Sequence, residues 1–211
     1  ALIVGWGHYL PNEVITNDFF IAHNPLYAYD EHGRKTGEPI VTSDEWIRKR
    51  MGIRERRRAK LDEQVHHMGA KALTMALDRA HVSPKDLEGI VVATVTQDQQ
   101  FPSAACLIAN EIGAANAYDC IDIGGACAGF PIAAKYAVGN IREGRGVYAV
   151  VGAEKLWKMV DVTDKNAPLF GDGAAALILK PIEDPRRGML VFYDKTKSVE
   201  GRTRWIYRDN N

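Results

Sequence analysis

The sequence predicts an α/β fold, a layered αβα arrangement around a mainly parallel sheet. Three observations carry that expectation. The run Ile90-Val91-Val92-Ala93 is continuously apolar and rich in β-branched residues, as in a strand covered on both faces. Between Gln64 and Ala80, apolar residues recur at helical spacing: Val65, Met68, Ala72, Leu73, Ala76, Leu77 and Ala80. Short apolar runs then alternate with such helical stretches along most of the chain, the pattern of βαβ units.

In chain order, Leu2 to Trp6 reads as a strand closed by Gly7. Residues 17–41 carry Pro25, Gly33, Gly37 and Pro39 and read as an irregular excursion, well beyond the usual connection length. Ser43 is an N-cap candidate, Asp44 and Glu45 suit a helix start, and Gly52 should end that helix. Ser83-Pro84 opens a further helical turn with proline in first position. Strands are expected at 89–95, 117–123, 147–151, 174–179 and 189–193, and helices at 103–112 and 128–142. The second of these helices lines up Phe130, Ala133, Ala134, Ala137, Val138 and Ile141 on one side. Residues 194–211 are polar with no clear element, and no repeat or low-complexity tract occurs.

Composition bounds the function classes. At 211 residues the chain suits one large domain or two small ones. Lys plus Arg balances Asp plus Glu at 27 each, which argues against bulk attraction to nucleic acid or to a membrane. Three cysteines, Cys106, Cys120 and Cys127, make neither a disulfide framework nor a C-x-x-C zinc pattern. A cytoplasmic protein with at least one reactive thiol and no metal fits best. No apolar run approaches the roughly 20 residues that span a bilayer. No signal peptide is visible, and Ala1 sits at the start of a strand, so leading residues are expected ahead of it.

The most informative segment is Ile121 to Phe130, where an apolar strand runs through Gly124, Gly125 and Ala126 into Cys127 and then a helix. Small residues permit a sharp turn. A cysteine at a helix start is favoured as thiolate by the dipole and the unpaired N–H groups, which can also hold an oxyanion. Read from the residues alone, Cys127 is either such a nucleophile or a buried structural thiol.

Gly125-Ala126-Cys127-Ala128-Gly129-Phe130 resembles the nucleophile motif of ketoacyl synthase III enzymes. Four further segments resemble that family in order: Gly5 to Pro11, Thr42 to Arg54, Phe101 to Cys106 and Leu169 to Ala174. The resemblance implies a thiolase-like fold of two βαβαβαββ halves. Residues 1–211 would be the N-terminal, nucleophile-bearing half-domain, with the excursion at 17–41 and the C-terminal half lying outside this sequence. It also implies a homodimer. Cys127 would take an acyl group from acyl-coenzyme A, with a malonyl thioester, expected on an acyl carrier protein, then condensing by loss of carbon dioxide. Coenzyme A thioesters would be substrates, with no cofactor. The catalytic His and Asn of the family fall beyond this sequence.

Four residues correspond to the family's coenzyme A contacts: Thr42, Trp46, Arg50 and Lys165, the last where arginine is frequent. Trp46 and Arg50, spaced i, i+4, share a helix face and suit a purine and its phosphates, though a core anchor and a solvated charge fit the same residues. Phe101 corresponds to a residue reaching across the dimer to the acyl pocket, or packs in its own core. Arg48 to Lys60 holds eight Lys or Arg in 13 residues, either a landing site for phosphates or an acidic carrier, or a solvated face. The six histidines match no catalytic position of the family, and His66 and His67 are expected on the surface. Two alternatives to a decarboxylating synthase stay open: an acyltransferase or hydroxymethylglutaryl-coenzyme A synthase-like relative, and a non-catalytic assembly subunit.

Overall fold

The computed structural model describes residues 1–30, 32–184 and 187–189. In chain order its elements are β1 (Leu2–Tyr9), β2 (Glu13–Thr16), α1 (Asn17–Ala22), β3 (Leu26–Tyr29), β4 (Lys35–Ile40), α2 (Asp44–Met51) and β5 (Glu55–Arg58). Next come α3 (Val65–Ala80), β6 (Leu87–Ala93), α4 (Ala104–Ile112), β7 (Asp119–Ile123), α5 (Gly129–Arg142), β8 (Val147–Lys155) and β9 (Asp172–Lys180). They form two compact units. The first takes Ala1–Leu10, Lys60–Glu154 and the chain from Gly173; the second takes Pro11–Ala59 and Lys155–Asp172.

The first unit is built on a five-stranded sheet of order β1-β9-β8-β6-β7. β6 runs parallel to both β7 and β8, from Gly89 beside Asp119 to Ala93 beside Ile123 and Gly152. β1 pairs antiparallel with β9. Val150 of β8 joins Val91, Ala133, Ala134, Ala137 and Val138 in the core beneath α5. Its neighbour Val151 instead lies within reach of Gly69 on α3. Successive strand residues point to opposite faces, so α3 and α5 cover the sheet from opposite sides, and the αβα layering follows. Gly5 and Gly7 let β1 lie directly against α3: a Cβ at either position would collide with the main chain of Ala76 or Ala72.

Helix starts follow the expected chemistry. The Ser43 hydroxyl accepts the Trp46 amide at 3.1 Å, and Gly52 closes α2 in the left-handed region at φ 73°. The short turn at Pro84–Asp86 is capped by Ser83.

The second unit holds two small antiparallel pairs, β2 with β5 and β3 with β4. Its core gathers Ile15, Phe20, Ile47, Val160 and Ala167, flanked by Phe19, Trp46, Met51, Trp157 and Phe170.

The excursion at 17–41, read as irregular, is instead helix α1 followed by the β3–β4 hairpin. A six-residue helix is too short to show a period, and β4 carries Gly37 and Pro39 and is exposed along most of its length. β5 carries no strand signal, since Glu55-Arg56-Arg57-Arg58 has no apolar alternation, and β2, only four residues long, is set by its pairing with β5. Beyond Met189, the strand expected at 189–193 lies outside the described residues, as does 194–211.

Candidate active site

Cys127 belongs to a 3-10 turn, Ala126–Ala128, inserted between the end of β7 and the start of α5 at Gly129. The turn follows from its small residues. A Cβ on Gly125 would sit 2.7 Å from the Gly129 Cα, so only glycine lets the chain fold back that tightly. Ala126 takes φ 44°, a left-handed conformation costing a non-glycine residue about 1–2 kcal/mol. The Cys127 side chain is exposed, which excludes the buried structural thiol. Cys127 therefore precedes α5 by one turn rather than capping it. The helix-start amides expected to serve an oxyanion are partly committed: Ala128 N donates to Gly125 O at 3.0 Å, and Gly129 N donates to Ala126 O.

The other two thiols differ. Cys120, half-buried on β7, is pushed up to about 11 by burial and by the neighbouring Cys106. Cys106 is exposed on α4.

Around the turn, a cavity of about 350 Å³ is bounded by Leu10, Ala93, Ala126, Phe130, Glu154 and Ala174. Glu154 is the polar group in that wall. It accepts the Val95 amide at 3.0 Å, the Thr94 hydroxyl at 3.3 Å and the Thr96 hydroxyl. Burial nevertheless raises its pKa above the usual carboxylate range. Asp122 of β7 holds the start of α4, accepting the Ala104 and Ala105 amides at 2.7 and 2.9 Å, while Ser103 accepts Cys106 N at 3.2 Å. That anchor sets the segment carrying Phe101, whose ring is 83% exposed rather than packed in its own core. The sequence reading passed over Glu154 and Asp122.

Thr42, Trp46, Arg50 and Lys165 all belong to the second unit. Trp46 is half-buried against Ile47's cluster and carries the Arg50 guanidinium over its ring at 4.7 Å. The shared helix face is realised, and Trp46 is partly a core residue as well. Thr42 is buried, and its Oγ1 has no hydrogen-bond partner among the described residues. Lys165 is half-buried, and its amide donates to Tyr27 O at 2.8 Å.

The basic run divides. Arg56 is a buried cross-link, donating to Ile15 O at 3.2 Å, Asn17 Oδ1 at 2.9 Å and Pro168 O at 2.8 Å. Arg58 is paired with Glu13 and lies over Trp157. Arg48, Lys49 and Arg54 line an open groove that also holds Asp44 and Glu45, so its charge is mixed. Asp172, in the Leu169–Ala174 motif, is likewise buried and accepts the Ala59 and Trp157 amides at 2.8 Å each.

His66 and His67, expected on the surface, are only partly exposed. Both are half-buried with rings 4.2 Å apart, and His66 lies 3.9 Å from carboxylate oxygens of both Asp98 and Glu111. Burial first, then His67, lowers the His66 pKa. His66, His67 and Glu111 bring ligand atoms within 4.8 Å of one another. However, His67 Nδ1 accepts the Gln64 amide at 3.3 Å, which closes the N-terminal capping box of α3 and leaves the proton on Nε2. That bond fits a helix cap better than a metal centre.

Residues 121–197 match the family model for 3-oxoacyl-[acyl-carrier-protein] synthase III. The beta-ketoacyl-[acyl-carrier-protein] synthase III of Geobacillus kaustophilus is 43% identical over 91% of this chain and 57% of its own length. Among solved structures, 3-oxoacyl-[acyl-carrier-protein] synthase III from Aquifex aeolicus superposes with TM-score 0.75 at 39% identity, covering 87% of this chain and 55% of its own. A priming beta-ketosynthase of a polyketide biosynthetic pathway superposes with TM-score 0.76 at 33% identity, covering 87% and 51%. The chain thus spans about half the length of the relatives it matches. Among the described residues no helix is long and apolar enough to cross a membrane. In sequence over nine-tenths of its length and in its αβα architecture, the chain is similar to the ketoacyl synthase III proteins.

Proposed function

We propose that this chain carries the nucleophile of an acyl-thioester condensing enzyme that starts fatty-acid or polyketide chains, with Cys127 as the acyl acceptor. The observation that carries the reading is an exposed thiol on a strained turn between β7 and α5. Strain kept at one alanine beside the only sulfur so presented among the described residues is what a functional turn requires. In the first step the Cys127 sulfur attacks the thioester carbonyl and the coenzyme A thiol leaves. In the second, a malonyl thioester loses carbon dioxide, its carbanion attacks the acyl-enzyme, and the Cys127 thiolate departs. Negative charge on the extender's thioester oxygen needs positioned donors. By the resemblance above, these are a His and an Asn from the part of the relatives that this chain does not span.

Trp46, Arg50 and Lys165 are proposed to receive the nucleotide end of coenzyme A. The stacked Trp46–Arg50 pair supports this, offering a flat cationic face on an exposed helix surface. Thr42, being buried, is assigned to shaping that site through its main chain. The malonyl donor is proposed to ride on an acyl carrier protein, and the three unpaired thiols suit a reducing cytoplasm. A homodimer is proposed through the sheet edge at β7, whose outer side has no strand beside it among the described residues. Phe101, 83% exposed, is then available to a partner subunit.

Labelled short-chain acyl-coenzyme A, followed by peptide mapping, tests the assignment. Label is expected on Cys127 and is expected to vanish in Cys127→Ala. Label that persists on Cys106 or Cys120 in that variant sinks it.

A further inference from the structure

The β3–β4 hairpin is tied at both ends to segments that carry proposed coenzyme A residues. At its base, Asn24 uses its whole side-chain amide on Thr42: Oδ1 accepts Thr42 N at 2.8 Å and Nδ2 donates to Thr42 O at 3.0 Å. On its other side, Tyr27 joins the segment before Lys165 as a strand would. Tyr27 N donates to Thr163 O at 2.7 Å, Lys165 N donates to Tyr27 O at 2.8 Å, and Tyr27 and Asp164 form a parallel bridge. Tyr29 adds a side-chain tie, its hydroxyl lying 2.8 Å from Thr163 Oγ1 and donating to Asp161 Oδ2 at 3.2 Å. The Lys35 ammonium lies over the Tyr27 ring at 3.8 Å. Six hydrogen bonds from Asn24, Tyr27 and Tyr29, beside a strand β4 that is exposed along most of its length, are more than a passive connection needs.

We propose that this hairpin is a specificity-determining device for the nucleotide-bearing acyl donor, with Asn24, Tyr27 and Tyr29 as positioning residues. It holds the main chain at Thr42 and at Lys165 in one arrangement before the donor arrives, so that ordering cost is not met on binding. The inference rests on the coenzyme A reading above. It concerns the binding of the donor's nucleotide end and not the chemistry at Cys127. An effect on the donor's KM, with kcat retained, is therefore its signature.

The test uses the complete protein, with two acyl donors that share the thioester: acyl-coenzyme A and the truncated acyl-pantetheine. Three variants are compared: Asn24→Ala, Asn24→Asp, which keeps the acceptor for Thr42 N, and Tyr29→Phe, which removes only the hydroxyl. Asn24→Ala is expected to raise KM for acyl-coenzyme A by about fivefold to tenfold and Tyr29→Phe by about threefold, the scale of lost hydrogen bonds. kcat should hold, KM for acyl-pantetheine should not move, and Asn24→Asp should recover part of the loss. Variants that lose activity with both donors alike, or that fail to fold, overturn the proposal, because the hairpin is then only structural. Variants that leave both KM values unchanged overturn it as well. A wild-type protein that shows no preference for acyl-coenzyme A over acyl-pantetheine sinks the coenzyme A reading itself. A wild-type preference surviving in all three variants sinks only the hairpin's role.

Discussion

Glu154 is a carboxylate beside the Cys127 turn whose pKa burial has raised, despite hydrogen bonds from Thr94, Val95 and Thr96 that favour its charge. From its ordinary value of 4.5 upward, the unfolded chain gives up this proton before the folded one does. Stability contributed by Glu154 is therefore present in acid and declines as pH rises through the folded value. Glu154→Gln should remove that decline. Melting temperatures of the two proteins across the weakly acidic range check it. Parallel curves would show that Glu154 is ionised throughout and that its hydrogen-bond donors outweigh burial. At this scale the thiols also separate: Cys120, pushed up to about 11, stays protonated near neutrality, and of the two exposed thiols, Cys106 and Cys127, only Cys127 sits on the strained turn before α5, where the acyl acceptor is proposed.

At the scale of elements, the contact between β1 and α3 decides whether the first unit closes. The Gly5 and Gly7 Cα atoms lie so near the α3 main chain that an added methyl meets backbone, not a side chain able to turn away. Gly7→Ala should cost about 3 kcal/mol, the upper end of overpacking, measured by denaturant unfolding. A loss under about 1 kcal/mol would mean that α3 can slide and that the packing is looser than it looks. The motif Gly5 to Pro11 thus has a packing reason before it has any functional one.

At the scale of the molecule, the sheet ends on β7, and Tyr118 just ahead of it is 71% exposed. An edge strand with no neighbour on its outer side among the described residues, flanked by exposed aromatic rings, is the surface proposed for the dimer. Tyr118→Lys combined with Phe101→Ala should weaken self-association by about tenfold or more, with the melting temperature of dilute protein unchanged. Sedimentation of the complete protein reads it directly. A dimer of wild-type affinity in the double variant would move the contact away from β7.

How much of this was legible in the chain follows from range. Local rules sufficed for α2, where Ser43 caps and Gly52 ends the helix, for α3 with its helical period, and for the Gly-Gly-Ala-Cys turn, where only small residues fit. Where residues distant in sequence meet, the sequence was silent. Arg56 looked like one more surface charge in a basic run, yet it is buried because Ile15 and Asn17 on one stretch and Pro168 on another, more than 110 residues away, supply oxygens to it. Residues 17–41 looked irregular because β4 draws its order from β3 and not from its own pattern, and β3 draws part of its own from Thr163 and Lys165 more than 130 residues away. The sequence by itself determined the αβα class, the tight turn of small residues before α5 and the boundaries of α2 and α3, since each rests on neighbours a few residues apart. Only the tertiary structure decided which charges are buried, which side of Trp46 is occupied and what the hairpin holds, because burial and pairing are properties of contacts the chain makes only when folded.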